Sequence, residues 1–170
     1  MQNNKGVMMT KGRALQARGH LMEALPLFQQ LYEKYSGSLN DEKNNGLALG
    51  RLLQIIGGTD NLKAALDIFT QLRTRAAGGQ ANTPCEDREV ELALGRLFQV
   101  MGSTENLKTA LGIFTRLRTR AAGGQENTPC DDKEIELALG IHLQIMRGTA
   151  NLKAARDIFT QLALRRPEGR

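Results

Sequence analysis

Two cysteines and two histidines are the side chains of this sequence best suited to nucleophilic or metal chemistry. Cys85 and Cys130 occur in the same phrase, Asn-Thr-Pro-Cys, near a predicted helix start, where a helix dipole can lower the pKa of a thiol. A nucleophilic cysteine also needs a neighbouring base, and no histidine repeats together with these cysteines. We therefore interpret both as small structural residues.

The histidines are also poor candidates for chemistry. His20 falls in a predicted turn and His142 on a predicted helix, and neither has a neighbour at metal-ligand spacing. The stretch Ala-Ala-Gly-Gly-Gln follows a helix and lacks the Lys-Ser/Thr of a phosphate-binding loop. The sequence thus predicts a non-enzymatic protein with no catalytic residues, metal or cofactor.

The composition is typical of a folded protein, with 41% apolar and 24% charged residues among 170. The net charge of +5 permits attraction to acidic partners, but acidic and basic residues are interspersed. No apolar run approaches the roughly 18 residues that span a bilayer, and the first residues lack a signal-peptide core. Stacked repeats would place Cys85 and Cys130 about 10 Å apart, too far for a disulfide. Free thiols favour a reducing compartment, so we expect a cytoplasmic protein with no membrane contact.

The elements that must position any site belong to a 45-residue repeat. Residues 46–90 and 91–135 are identical at 32 of 45 positions, a pattern typical of stacked helical repeats. Apolar residues within each unit follow two helical stripes. The predicted first helices are 40–56, 84–101 and 129–146, and the predicted second helices are 60–76, 105–121 and 150–165.

The recurring Thr-Pro-Cys segment is interpreted as a helix-start signal that separates successive helices. Thr83 and Thr128 are the predicted N-caps, and Pro84 and Pro129 would take the first helical position. Gly78 is predicted to end the preceding helix in a left-handed conformation. In the turn inside each unit, a Thr or Asn is predicted to cap the second helix.

Each unit resembles the tetratricopeptide repeat, which pairs Leu-Gly with a later Ala-x3-Phe and closes with Pro. The Leu-Gly pairs are 49–50, 94–95 and 139–140, and the Ala/Phe pairs are 65/69, 110/114 and 155/159. The N-terminal segment repeats the constellation with Gly12, Leu15, Ala24 and Phe28, and Pro167 takes the closing place. The units depart from the pattern in length and at the Trp place, which holds Gly46, Glu91 and Glu136.

The resemblance implies an all-α fold, an α-solenoid in which four antiparallel helix-turn-helix repeats form a right-handed superhelix. The expected repeats are about 3–37, 40–78, 84–123 and 129–167, in a single domain over residues 1–170. Small Gly50, Gly95 and Gly140 would let the helices of a pair approach closely, with each Phe filling the adjacent space.

In the resembled family, residues just after Leu-Gly line a concave groove that binds peptides or helices. Forked Arg donors and adaptable Gln amides suit carboxylates and main-chain groups of such a partner. A solvated face copied by duplication is the alternative interpretation. The residues carried over to the groove are Arg13, Gln16, Arg51, Gln54, Arg96, Gln99 and Gln144, with Ile141 interrupting the Arg series.

A second repeated basic set ends the second helices, where interaction with terminal carbonyls would explain it. A ridge of these residues could instead attract a nucleic-acid backbone, although the chain has few aromatics for base stacking. The possible ridge comprises Arg73, Arg75, Arg118 and Arg120, and Arg165 and Arg166 also lie at the end of a predicted second helix.

The sequence therefore predicts a protein-binding scaffold whose partner is a protein or peptide, with an acidic one favoured by the Arg residues. Nucleic-acid binding and self-association through the open ends of the solenoid are the alternatives.

Overall fold

The computed structural model describes residues 2–165, and all regular secondary structure in that range is helical. This confirms the predicted all-α class. Pro167 and Arg166 lie outside the described residues. The described part of the chain contains eight helices: α1 (Gln2–Ala17), α2 (Leu21–Lys34), α3 (Leu39–Ile56), α4 (Thr59–Ala76), α5 (Arg88–Met101), α6 (Thr104–Ala121), α7 (Lys133–Met146) and α8 (Thr149–Leu164).

The chain divides into two compact units, Met1–Ala93 and Leu94–Arg170, with the boundary inside α5. In the first unit, α1 packs on α2, α2 on α3, and α3 on α4. In the second unit, α6 packs on α7 and α7 on α8. Consecutive helices therefore form the core of each unit, as expected of helical hairpins with short turns.

A glycine of the first helix faces the phenylalanine ring of the second helix in every hairpin. A Cβ atom at these glycines would lie 2.3–2.9 Å from the nearest ring atom, closer than side chains can approach. Full burial of the ring, as at Phe28, Phe69 and Phe114, stabilises the fold by about 1.5–3 kcal/mol per residue. The pairs are Gly12/Phe28, Gly50/Phe69, Gly95/Phe114 and Gly140/Phe159.

The predicted starts of α5 and α7 are wrong by about one turn. Thr83 and Thr128 do not cap these helices, because their hydroxyls donate to Ala81 O and Glu126 O instead. Asp132 is the N-cap of α7, and its carboxylate accepts hydrogen bonds from the amides of Glu134 and Ile135. A carboxylate is a strong cap because its charge also complements the helix dipole.

Asp87 makes the same two bonds at the start of α5, with the amides of Glu89 and Val90. Pro84 and Pro129 consequently lie in the loops before the helices. Gly78 does adopt the predicted left-handed conformation after α4, with φ of 69°.

The turns inside the hairpins also differ from the prediction. The N-caps of α4, α6 and α8 are Gly58, Ser103 and Gly148, and only Ser103 among these three accepts a side-chain capping bond. Asn61 and Asn151 instead donate backwards, to the carbonyls of Gly57 and Arg147.

Arg147 ends α7 with φ of 56° and ψ of −167°. The equivalent residue after α3 is Gly57, with φ of 75° and ψ of −169°. This backbone region is strained for a residue with a side chain, so the last repeat places an arginine where an earlier one has glycine.

Candidate protein-binding surface

Three residues of the predicted groove lie together in the first unit. Arg13 and Gln16 on α1 and Arg51 on α3 line one cavity of about 360 Å³. Phe28 and Leu47 lie beneath the same cavity but are 0% and 2% exposed, so its accessible lining is mainly polar. The first helices of two hairpins thus present hydrogen-bond donors to one shared cavity.

The two arginines of this cavity are available to a ligand. Arg13 and Arg51 are exposed, and neither forms a salt bridge or side-chain hydrogen bond within residues 2–165. Glu89 adds an acidic group to the lining, so the two guanidinium groups leave the cavity with a positive balance. Each guanidinium can donate two parallel bonds to a carboxylate.

The other predicted groove residues have different surroundings. Gln54 is half-buried on α3, and Gln99 is half-buried on α5. Arg96 forms an exposed salt bridge of 3.1 Å with Glu134. Gln144 lines a separate cavity at α7 and α8.

Arg73 of the possible basic ridge is bound inside the first unit. Its Nε and Nη2 donate to the two carboxylate oxygens of Glu91 over 2.6 and 3.2 Å. The same carboxylate accepts the amide of Cys85 over 3.0 Å. Glu91 is 2% exposed, so this bidentate pair ties the end of α4 and the following loop to α5.

Arg118 repeats this arrangement in the second unit. It donates to both oxygens of Glu136 over 2.6 and 3.1 Å, and the amide of Cys130 donates to the same carboxylate over 2.9 Å. Arg165 completes it by donating to the carbonyl of Cys130. We call each set of Arg, Glu and Cys amide a loop clamp.

The loop clamps change the interpretation of the basic ridge. Arg73 and Arg118 are mostly buried and neutralised by carboxylates, not by helix-terminal carbonyls. Arg75 is exposed and lies 3.5 Å from Glu42. Two of the four ridge cations are therefore unavailable to a phosphate backbone, which weakens the nucleic-acid alternative.

Sequence reasoning missed Glu91 and Glu136 as structural residues. They appeared as departures from the Trp place of the tetratricopeptide pattern, whereas the structure gives them buried partners. The available signal was an Arg followed by a Glu 18 residues later in both repeats.

The cysteines are free, as predicted, and both are buried. Their thiols are not acidified. Burial raises the pKa of Cys85 to about 11, and burial also raises the pKa of Cys130. Both residues lie in the loop before a helix, so desolvation of the thiolate outweighs any nearby helix dipole. Such thiols are poor nucleophiles at neutral pH.

The histidines occupy unlike environments. His20 is exposed beside Glu23 at 2.9 Å. His142 is fully buried against the edge of Phe114, and its Nε2 donates to the carbonyl of Leu107 over 2.8 Å. Its Nδ1 has no partner among the described residues, and burial lowers the pKa of the ring.

Among residues 2–165, no group of three or more His, Cys, Asp or Glu side chains could hold a metal ion. No helix in the described part of the chain has the length and apolar character needed to cross a membrane. The chain matches no protein-family model, no curated protein and no solved structure.

Proposed function

We propose that this chain is a non-enzymatic scaffold, a tetratricopeptide-like α-solenoid that binds a peptide or helix of another protein in a concave groove. The observation that carries the proposal is the cavity shared by Arg13, Gln16 and Arg51. Two unpaired guanidinium groups at one cavity suit a ligand that carries carboxylates.

The environment of the reactive side chains supports binding over catalysis. Cys85 and Cys130 are buried with raised pKa, and His142 is buried in packing against α6. These groups act as parts of the core in our proposal. The two free thiols support the cytoplasm as the compartment.

Selection from a random peptide library displayed on phage, with the full chain as target, tests the proposal. Peptides that are recovered are then titrated calorimetrically against the unaltered chain and the Arg13→Glu/Arg51→Glu variant. We expect enrichment of acidic peptides and at least about tenfold weaker binding to the variant, since the charge change converts attraction into repulsion.

The matched control is Lys34→Glu/Lys63→Glu, which changes the net charge equally at two exposed lysines outside the cavity lining. It should retain the affinity of the unaltered chain. Equal losses in both variants would mean that only overall charge matters, and the groove proposal would then fail. Circular dichroism melts establish that both variants remain folded.

A further inference from the structure

The last hairpin carries an apolar face that no described helix covers. A cavity of about 790 Å³ at α7 and α8 is lined by Leu152, Phe159 and Leu164 together with Arg156. Leu152 is 49% exposed and Leu164 is 73% exposed. Contiguous exposed apolar patches are found at protein interaction sites.

The second unit itself shows what kind of element fits such a face. The equivalent face of α6 is covered by α7, where His142 bonds the carbonyl of Leu107 and contacts the ring of Phe114. Phe114 is fully buried there, whereas the equivalent Phe159 is only half-buried. A helix packed in the same way would complete the burial of Phe159.

The sequence of α8 differs from α6 on this face. Ala163 and Leu164 replace Arg118 and Thr119, so the arginine of the loop clamp is missing. Arg156 replaces Leu111 and has no salt bridge or side-chain hydrogen bond within residues 2–165. The face is therefore apolar around an unpaired Arg156, and it lacks the arginine that would form a further loop clamp.

Charge decides what can occupy the face. The cavity lining contains no acidic residue, so two copies related by a two-fold axis would bring Arg156 close to its symmetry mate. The α1 helix of a second copy is also unsuitable, because its described residues include Lys5, Lys11 and Arg13 but no acid. Both arrangements place like charges together in a partly apolar interface, which is costly.

We propose that the α7–α8 face is a docking surface for an amphipathic helix of a different protein, with a carboxylate within its apolar stripe. The carboxylate pairs with Arg156, and the flanking apolar side chains cover Leu152, Phe159 and Leu164. This surface belongs to the second unit and is independent of the cavity around Arg13 and Arg51.

The chain provides the template for a probe. In α7, His142 faces the stretch of α6 between Leu107 and Phe114, which corresponds to the stretch around Arg156 in α8. Synthetic peptides with the sequence of residues 132–148 and either His142→Glu or His142→Lys are titrated against the full chain. We expect the His142→Glu peptide to bind at least about tenfold more tightly.

Charge reversal on the protein sharpens the test. Arg156→Glu should invert the preference of the two peptides, and Leu152→Asp should abolish binding of both. Lys153→Glu, an exposed neighbour outside the lining with the same charge change, should leave the preference unaltered. Circular dichroism melts confirm that each variant is folded.

Equal affinity for the two peptides, no detectable binding, or an unchanged preference in Arg156→Glu would overturn the proposal. Sedimentation of the unaltered chain at increasing concentration tests the competing occupant. We expect a monomer throughout. A dimer that Leu152→Asp dissociates would instead assign the face to a second copy of the chain.

Discussion

The junction between α2 and α3 and the junction between α6 and α7 are fastened by different chemistry. At the first, the buried Asn45 donates from Nδ2 to the carbonyls of Leu31 and Tyr35 at the end of α2. At the second, Glu136 joins Arg118 to the amide of Cys130 in a loop clamp. A neutral amide thus closes one junction, and a buried ion pair closes the other.

The lengths of the connecting segments account for the difference. Residues 35–38 connect α2 to α3, so the end of α2 lies within reach of one side chain of α3. Residues 122–132 connect α6 to α7, and this longer loop has its own backbone groups to satisfy. A carboxylate has two accepting oxygens and a charge, so Glu136 can accept the loop amide and a bidentate guanidinium together, whereas a carboxamide has one accepting oxygen and no charge.

The largest expected loss of stability comes from breaking the α6–α7 loop clamp. Glu136→Ala leaves Arg118 without its carboxylate and the buried Cys130 amide without an acceptor. We expect the free energy of unfolding to fall by about 2–4 kcal/mol. Urea denaturation followed by circular dichroism measures the change.

A double variant separates the two parts of that loss. Arg118→Met/Glu136→Gln removes both charges, while the glutamine oxygen can still accept from the Cys130 amide. This variant should be clearly more stable than Glu136→Ala, because no unpaired charge remains. If the double variant and Glu136→Ala were equally destabilised, the unpaired charge of Arg118 would not be the cause of the loss in Glu136→Ala.

Removing the Asn45 side chain at the α2–α3 junction should destabilise the protein less. Asn45→Ala removes two hydrogen bonds to helix-terminal carbonyls and should lower the free energy of unfolding by about 1–2 kcal/mol. The neighbouring exposed Asn44→Ala should change it by less than about 0.5 kcal/mol. Thermal and urea melts of both variants test the contrast, and a larger loss for Asn44→Ala would contradict this account of the junction.

The smallest effect at neutral pH concerns His142, whose place in the earlier repeats is taken by Leu52 and Leu97. At pH 8, His142→Leu should change the free energy of unfolding by less than about 1 kcal/mol, since a hydrogen bond is exchanged for apolar packing. Burial lowers the pKa of the folded histidine. Below the pKa of about 6.5 that histidine has in an unfolded chain, His142 therefore binds a proton in the unfolded state but stays neutral in the folded state.

The unaltered chain should consequently lose stability as the pH falls below about 6.5, and His142→Leu should lose less. Urea melts of both proteins between pH 8 and pH 5, chosen as about one and a half units on either side of that value, give the difference. If the difference in the free energy of unfolding between the two proteins stays constant over this range, the pKa of His142 is the same in the folded and unfolded states, and this account is wrong. Exposed His20→Asn serves as the control.

Much of the helical framework was predictable because the repeats align helix with helix. The second helices α4, α6 and α8 each begin one residue before the predicted start. The starts of α5 and α7 were not predictable from Thr-Pro-Cys alone, because two capping residues competed for them. Asp87 and Asp132 prevailed, since Glu91 and Glu136 bind the Cys85 and Cys130 amides inside the loop.

The candidate site was predictable only as a set of positions. Helical spacing and the family resemblance placed Arg13, Gln16 and Arg51 after Leu-Gly-like positions, and the structure brings them to one cavity. Gln54 has the same sequence position as Gln16 but does not line that cavity. A helical period predicts the direction of a side chain, whereas a cavity depends on the neighbouring helix.

Because the backbone of Arg147 is strained, a single substitution at this residue should raise the free energy of unfolding. Glycine adopts the φ and ψ of this residue without the penalty of about 1–3 kcal/mol that a side chain incurs there. An Arg147→Gly substitution therefore offers a more stable scaffold without changing a residue that lines either candidate binding surface.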